Sequence, residues 1–274
     1  MNTTTILING EPSDGRIPVT DSSVLRGDAV FEVLKSYGGV LFRSEDHLDR
    51  LEASARKLML DLPRRSLIAD WMERVAAEIG DGAVRVVCTR GSSVPGIPGE
   101  PLVIVFGHTW PSADGPCRLY PVPAPWHAAG VGWELAGAKI TSYAPNMASS
   151  RRAQAEGFDD ALLVTTEGIV LEGPTFSVAW VIDGVVETPA LGLGILDSIT
   201  RRVVLELADR EGVPVREVEA PLERMLEADE AMAWSTVREV QAVSAVGDHG
   251  YETGPVTKRL QDAFAALVGN LADR

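Results

Sequence analysis

Apolar and polar residues alternate at period two near the start of the chain, then shift to helical spacing after Ser44. Thr3–Asn9 reads as a strand turned by Asn9-Gly10, and Ala29–Tyr37 as a strand closed by Gly38-Gly39, with Val40–Phe42 returning. Leu48, Leu51, Ala55 and Leu58 then mark one face of a helix over Glu45–Leu60, with Ser44 suited to cap it. Asp61-Leu62-Pro63 interrupts the pattern, and a second helix is expected over Ser66–Ile79, stopped by Gly80. Ala83–Thr89 and Leu102–His108 are strongly apolar strands. The Gly-, Ser- and Pro-rich loop Gly91–Pro101 between them is long enough to shape a site. Pro111–Pro116 and the punctuated stretch Pro121–Gly132 mark a junction.

Beyond the junction the pattern predicts a strand over Gly132–Lys139 and a helix over Pro145–Glu156. Strands at Ala161–Thr165 and Ile169–Leu171 flank Glu167-Gly168, and a hairpin joins Phe176–Ile182 to Val185–Glu187 through Asp183-Gly184. A helix over Ser198–Glu211, a strand at Val215–Val218 and a short helix at Pro221–Leu226 follow. One long extended run, Ala231–Val246, precedes a closing helix over Val256–Leu271. This order predicts an α+β chain: a small α+β domain over 1–118, a linker over 119–131 and a larger domain over 132–274.

Composition narrows the function classes. The 274 residues are 45% hydrophobic and 23% charged, as in an ordinary soluble protein. No apolar run nears the roughly 18 residues a membrane span needs. The opening MNTTTILING lacks a basic segment followed by an apolar one, so the expectation is a cytoplasmic protein. A net charge of −14 without a basic block argues against nucleic acids and anionic membranes as partners. The four histidines are dispersed, which argues against a histidine-based metal site; Cys88, inside an apolar strand, is expected to be buried and reduced.

Lysine is scarce. It occurs at Lys35, Lys57, Lys139 and Lys258, and the other 21 of the 25 Lys and Arg residues are arginine. A lysine kept where arginine is the default suggests an amine that must lose its proton and attack a carbonyl. Lys139 stands out because it follows the apolar, small-residue run Val131–Ala138, whereas the other three fit a strand or charged helices. An ordinary snorkelling lysine is the alternative.

Three other features bear on the same chemistry. Glu172 ends an apolar strand before Gly173-Pro174; it is either a solvated strand end or a carboxylate able to hold a proton on a ring nitrogen. The helix opening at Leu196-Asp197-Ser198-Ile199-Thr200-Arg201 offers free amides to a phosphate, with Asp197 as a possible cap. Ser235-Thr236 puts hydroxyls in an apolar run. Together these supply an imine-forming lysine, a ring-nitrogen carboxylate and a phosphate cradle, the needs of a pyridoxal phosphate site.

The ordered blocks resemble the class IV aminotransferases: branched-chain and D-amino-acid aminotransferases and aminodeoxychorismate lyases. They are Arg26-Gly27-Asp28 with Val30-Phe31-Glu32, His47-Leu48-Asp49-Arg50-Leu51, Lys139 with Tyr143 and Asn146, and Glu172-Gly173-Pro174. Thr188-Pro189, Gly194-Ile195-Leu196 with Ile199-Thr200-Arg201, Ala228-Asp229-Glu230 and Gly254-Pro255-Val256-Thr257 complete the set. The resemblance implies a two-domain fold type IV enzyme, with a small α+β domain and a larger pseudo-barrel domain, assembled as a homodimer. It implies that Lys139 carries pyridoxal 5'-phosphate as a Schiff base and shuttles a proton, while Glu172 pairs with the ring nitrogen. Arg50, the amides of Ile199 and Thr200, and Thr236 would hold the phosphate. Leu196 would pack on the ring, and Tyr143 would lie near the cofactor oxygen or Lys139.

Departures within those blocks bear on the reaction. Arg90-Gly91 is not followed by the Arg-x-His carboxylate trap of bacillus-type D-amino-acid enzymes, and Phe31 stands where those enzymes often place tyrosine. Thr141-Ser142-Tyr143 replaces the Gly-Asn-Tyr of branched-chain enzymes. The leading expectation is a transaminase acting between a D-amino acid or (R)-amine and a 2-keto acid. Alternatives are an aminodeoxychorismate lyase giving 4-aminobenzoate and pyruvate, and a branched-chain L-amino-acid aminotransferase. Phe31, Arg26 and Arg90 are the substrate-side candidates, although each arginine could instead be a structural ion pair.

Overall fold

The computed structural model describes residues 5–110 and 115–272. The described residues of Met1–Pro111, Ala138–Tyr143 and Val268–Arg274 make one compact unit; those of Ser112–Gly137 and Ala144–Leu267 make a second. The first unit holds β1 (Thr5–Ile8), β2 (Glu11–Pro12), α1 (Ser22–Arg26), β3 (Ala29–Tyr37), β4 (Val40–Leu41), α2 (Ser44–Lys57), α3 (Arg65–Ile79), β5 (Gly82–Thr89) and β6 (Val103–His108). Its strands form an antiparallel sheet in the order β2-β1-β6-β5-β3-β4.

Alternation along β3 and β5 gives that sheet two unlike faces. Val30, Leu34, Val84, Val86 and Cys88 pack with Leu48, Leu51 and Ala55 of α2 and with Ile68, Met72 and Val75 of α3. By register, the opposite face carries Phe31 across from Val87, Val33 across from Arg85, and Arg85 across from Phe106. The helix expected at Glu45–Leu60 forms over Ser44–Lys57, and Ser44 does not cap it. Arg43 stands at the cap with φ 53; its side chain makes no capping bond, its carbonyl accepts the amide of His47, and its Nη1 reaches Asp46 Oδ2 at 3.4 Å.

The expected strand Gly132–Lys139 is not formed. Trp133–Ala136 makes a turn and Val131 and Trp133 stay exposed, since the small residues there bury too little area to hold an extended strand. The strand-like pairing begins later. Ile140 bridges Val30, Phe31 N–H donates to Lys139 O (3.1 Å), and Thr141 N–H donates to Ala29 O (2.9 Å). Residues 138–143 therefore fold with the first unit, although they follow the expected linker. Gly27 permits this close approach: its φ is 66, and a Cβ there would run into Ser142.

The second unit holds β7 (Cys117–Pro123), α4 (Ala144–Ala155), β8 (Asp160–Val164), β9 (Ser177–Ile182), β10 (Val185–Pro189), a 3-10 turn (Leu191–Leu193) and α5 (Ile199–Arg210). It continues with β11 (Val215–Val218), α6 (Leu222–Leu226), β12 (Glu230–Ser235), β13 (Glu239–Val246), β14 (His249–Gly250) and α7 (Pro255–Ala272), whose residues from Val268 on are counted with the first unit. Its eight-stranded sheet runs β11-β10-β9-β12-β13-β7-β8, with β14 on β13. Part of the expected linker is thus strand β7, paired in parallel with both β13 and β8. The prolines that suggested a loop, Pro121 and Pro123, are two apart, so their missing N–H groups fall on one edge of the strand. Most of the PSADGP junction lies outside the described residues.

Two more expectations are corrected. Ile169–Leu171 makes only isolated bridges, Val164 to Val170 and Ile169 to Pro221. The run Ala231–Val246 is a hairpin, β12 turning into β13 through Thr236–Arg238. No glycine or proline marks that turn; Ser235 Oγ accepts Arg238 N–H instead (3.2 Å), and Glu239 takes φ 55.

Candidate active site

In the first unit the site is built around Lys139. Its side chain is 9% exposed, and Nζ lies 4.6 Å from the Phe31 ring centroid and 5.9 Å from that of Tyr143. Phe31 and Tyr143 meet edge to face at 5.3 Å. The backbone of Lys139 is held on both sides: its N–H donates to Ser54 Oγ of α2 (3.0 Å), and its carbonyl accepts from Phe31 of β3. The amine is thereby presented to an aromatic wall from a fixed backbone.

Arg50 lies one turn before Ser54 on α2. Its Nε and Nη2 donate to the two oxygens of Glu32, each at 2.7 Å, and His47 Nδ1 sits 2.8 Å from Glu32 Oε2. Burial pushes the Glu32 carboxyl up, but the charge and hydrogen bonds of Arg50, then those of His47, outweigh it and hold Glu32 well below the usual carboxylate range. Burial lowers the His47 pKa despite Glu32, so the ring is neutral at pH 7 and donates from Nδ1. The bidentate clamp fixes the plane of the Arg50 guanidinium.

On the opposite face of β3 the electrostatics differ. Arg85 lies on the same side as Phe31, its guanidinium carbon 5.6 Å from the Phe31 ring centroid and 5.9 Å from that of Phe106. Its Nε is buried with no hydrogen-bond partner, and burial lowers its pKa, with Tyr143 opposing. Arg90, at the end of the same strand, is fully engaged. It pairs with Asp28 (Nε–Oδ2 3.0 Å) and donates to the carbonyls of Leu58 (2.7 Å) and Met59 (2.9 Å). The structure thus gives Arg90 the ion pair; Arg26 is exposed as the last residue of α1.

In the second unit Glu172 and Leu196, far apart in sequence, come together. The Leu196 N–H donates to both Glu172 oxygens at 3.3 Å, because the neighbouring Leu171 and Ile195 share one apolar cluster with Leu163 and Val122. Asn146 of α4 donates to Pro174 O (3.1 Å), and Gly173 N–H donates to Phe176 O (2.7 Å). A Cβ on Gly173 would run into the Phe176 ring, so the Glu172 turn needs glycine. The cap of α5 is Ser198, which accepts Arg201 N–H at 3.3 Å; Asp197 instead pairs with Arg202. Ile199 and Thr200 are buried at the first turn, where amides have no acceptor within the helix. Beside the turn that starts at Thr236, Ser177 and Trp234 are cross-strand neighbours in β9 and β12, and Ser177 Oγ and Trp234 Nε1 are both buried without hydrogen-bond partners.

The structure therefore groups Lys139, Phe31, Tyr143 and Arg50 in the first unit, and Glu172, Leu196, Ile199, Thr200 and Thr236 in the second. Sequence reasoning missed Glu32, His47 and Ser54 as partners, and it missed Arg85. The available signal for Arg85 was one charge inside the apolar run Ala83–Thr89. Among the described residues no group of His, Cys, Asp and Glu side chains is arranged to hold a metal ion, and no helix is long and apolar enough to cross a membrane.

A family model described as amino-transferase class IV matches residues 29–246. The chain is 32% identical to a bifunctional aminodeoxychorismate lyase / D-amino acid transaminase of Mycobacterium tuberculosis, over 76% of this chain and 78% of that one. It is 26% identical to a D-alanine aminotransferase of Staphylococcus epidermidis, over 97% and 98%. Among solved structures it superposes on a hypothetical aminotransferase from Mycobacterium tuberculosis in its PLP-bound form with a TM-score of 0.85 and 25% identity, covering 99% of this chain and 100% of the other. A branched-chain aminotransferase from Thermoproteus uzoniensis with norvaline gives a TM-score of 0.86 at 26% identity, covering 98% and 96%. A fold IV-transaminase from Curtobacterium pusillum superposes with a TM-score of 0.84 at 28% identity, covering 98% of each chain; class IV aminotransferases are pyridoxal phosphate enzymes.

Proposed function

Since this chain belongs to the class IV aminotransferase family, we propose that it is a pyridoxal 5'-phosphate-dependent transaminase that exchanges an amino group between a D-amino acid and a 2-keto acid. The observation that carries this reading is the grouping of Lys139, Phe31, Tyr143 and Arg85: a buried amine on an aromatic wall, with a guanidinium whose Nε lacks a partner on the same wall. A substrate carboxylate satisfies that guanidinium. A neutral (R)-amine does not, which favours amino acids as donors.

The residues fit the cofactor. Lys139 would hold it covalently through Nζ and would serve as the base and acid that moves the proton at the substrate Cα. Glu172, oriented by the Leu196 amide, would keep a proton on the ring nitrogen. Arg50, the first amides of α5 and Thr236 would hold the phosphate, Leu196 would cover the ring, and Tyr143 would lie near the cofactor oxygen or Lys139. Pyridoxal phosphate, when bound, supplies the carbonyl that exchanges the amine and the sink for the electron pair left by the Cα proton. Arg85 binds the carboxylate beside Phe31, the role for which Arg26 and Arg90 were the candidates.

The test is a visible spectrum of the purified protein, recorded before and after adding D- and L-amino acids. The expected result is a yellow band that disappears with D- but not L-substrates; disappearance with L-leucine alone would move the assignment to a branched-chain enzyme. The second reading, the lyase, is supported by the name of the mycobacterial relative. It requires 4-aminobenzoate and pyruvate to form from aminodeoxychorismate. A protein that stays colourless with added pyridoxal phosphate would remove Lys139 from the chemistry.

We also infer a cytoplasmic homodimer. Two free, buried cysteines, Cys88 and Cys117, suit a reducing compartment. Exposed Val19, Val24, Leu25 and Ile97 lie on or beside α1 and the loop tied to it through Ser22 N–H to Gly91 O and Ser93 N–H to Thr20 O. That apolar surface suits a second copy.

A further inference from the structure

We propose that Ser54 is a positioning residue for Lys139, and that α2 sets the spacing between the reactive amine and the phosphate-binding arginine. The inference rests on the proposed roles of Lys139 and Arg50 as cofactor lysine and phosphate ligand. His47, Arg50 and Ser54 occupy positions i, i+3 and i+7 of α2, so they share one face of the helix. Two of them, His47 and Arg50, hold Glu32 of β3. The third accepts the Lys139 N–H at 3.0 Å, with Ser54 itself 2% exposed.

These bonds close a circuit. Arg50 of α2 holds Glu32; the adjacent Phe31 N–H holds the Lys139 carbonyl; the Lys139 N–H returns to α2 at Ser54. Both backbone groups of the lysine are thus fixed by different elements, and the direction of its Cα–Cβ bond is set relative to the Arg50 guanidinium. The lysine does not lie within a regular strand; only the Ile140–Val30 bridge follows it. Without Ser54 its amide loses its acceptor in a buried place, and the residue is free to shift. A reacting group displaced by about 1 Å loses about 100-fold in rate.

Ser54→Ala and Ser54→Thr, each as holoenzyme, test the proposal. Alanine keeps helix propensity and removes only the hydroxyl. In Ser54→Ala the single-turnover rate at saturating amino acid should fall about 10- to 100-fold with KM little changed, and the midpoint of the pH titration of the visible band should move. Threonine, which keeps the hydroxyl, should restore both. In the apoprotein, hydrogen exchange at the Lys139 amide should accelerate in Ser54→Ala alone.

The proposal is overturned by parental rate and titration in Ser54→Ala, by a lowered melting temperature with both unmoved, or by a folded Ser54→Thr that restores neither. Borohydride reduction of the parent followed by peptide mass spectrometry separates this from the underlying reading. Label on a residue other than Lys139 overturns both, whereas label on Lys139 with a silent Ser54→Ala overturns only the role of Ser54.

Discussion

The two faces of β3 solve opposite electrostatic problems. Towards α2, Glu32, His47 and Arg50 are buried together and satisfy one another, so a carboxylate at 1% side-chain exposure and a guanidinium at 7% persist as a rigid pair. Towards the other side, Arg85 lies against Phe31 and Phe106, and no carboxylate among the described residues pairs with it. A mutually satisfied cluster holds shape. A half-buried cation with a buried donor left over suits an anion from outside, which is why we propose one face as scaffold and the other as substrate site. Five residues further on, Arg90 belongs to the scaffold type despite its greater exposure, since Asp28 and two carbonyls occupy it.

The largest effect bears on the chemistry that both faces serve. Lys139→Ala should abolish turnover while circular dichroism shows an intact fold; a fully active variant would end the mechanism. Glu172→Gln should slow single turnover by about 10²- to 10⁴-fold, the range of a lost acid–base group, with a stopped-flow trace as the check. Near-normal rates would remove Glu172 from the site.

On the scaffold face, Glu32→Leu leaves Arg50 and His47 without their acceptor and should cost about 3–5 kcal/mol in a denaturant titration. The contrast is then sharpened by the two arginines. Arg85→Gln should raise KM for amino acids about 10- to 100-fold, from loss of a charged hydrogen bond of roughly 1.5–3 kcal/mol, with little change in melting temperature. Arg90→Gln should do the reverse, lowering the melting temperature with little change in KM. Exchange of those two outcomes would invert the assignment of the faces.

The smallest predicted effect is on stability against pH. Burial, partly opposed by Glu32, holds the His47 pKa in the folded protein below its ordinary 6.5. The unfolded chain therefore takes up more protons as pH falls, so this contribution is complete above about pH 6.5 and is lost as acidification proceeds below it. The Glu32 contribution has the same sign: it is complete above about pH 5 and is lost progressively as pH falls through the ordinary carboxylate range and below it. Melting curves from pH 7.5 to 5 should decline less steeply in His47→Gln than in the parent; parallel curves would show that His47 does not titrate as a neutral buried ring.

Much of the fold was readable because the signals were local. The apolar stripe at Leu48, Leu51 and Ala55 became the buried side of α2, and Gly38-Gly39 and Asp183-Gly184 turned hairpins as expected. Errors fell where local punctuation and tertiary context disagreed. The hairpin after Ser235 has no glycine, so β12 and β13 read as one run. Pro121 and Pro123 read as linker although parallel neighbours accommodate them in β7.

For the site, the sequence alone determined identity: a rare lysine, a glutamate closing an apolar run and a helix opening, set among ordered blocks that mark the family. Those are properties of residue type and order, and a linear chain carries them. The tertiary structure alone decided partnership. It assigned Arg90 to Asp28, left Arg85 to the aromatic wall, joined Glu172 to the Leu196 amide across the apolar cluster, and gave the Lys139 amide to Ser54, 85 residues earlier. A side chain's charge is written in its residue type, but whether that charge is already satisfied depends on what folding brings within about 3 Å of it.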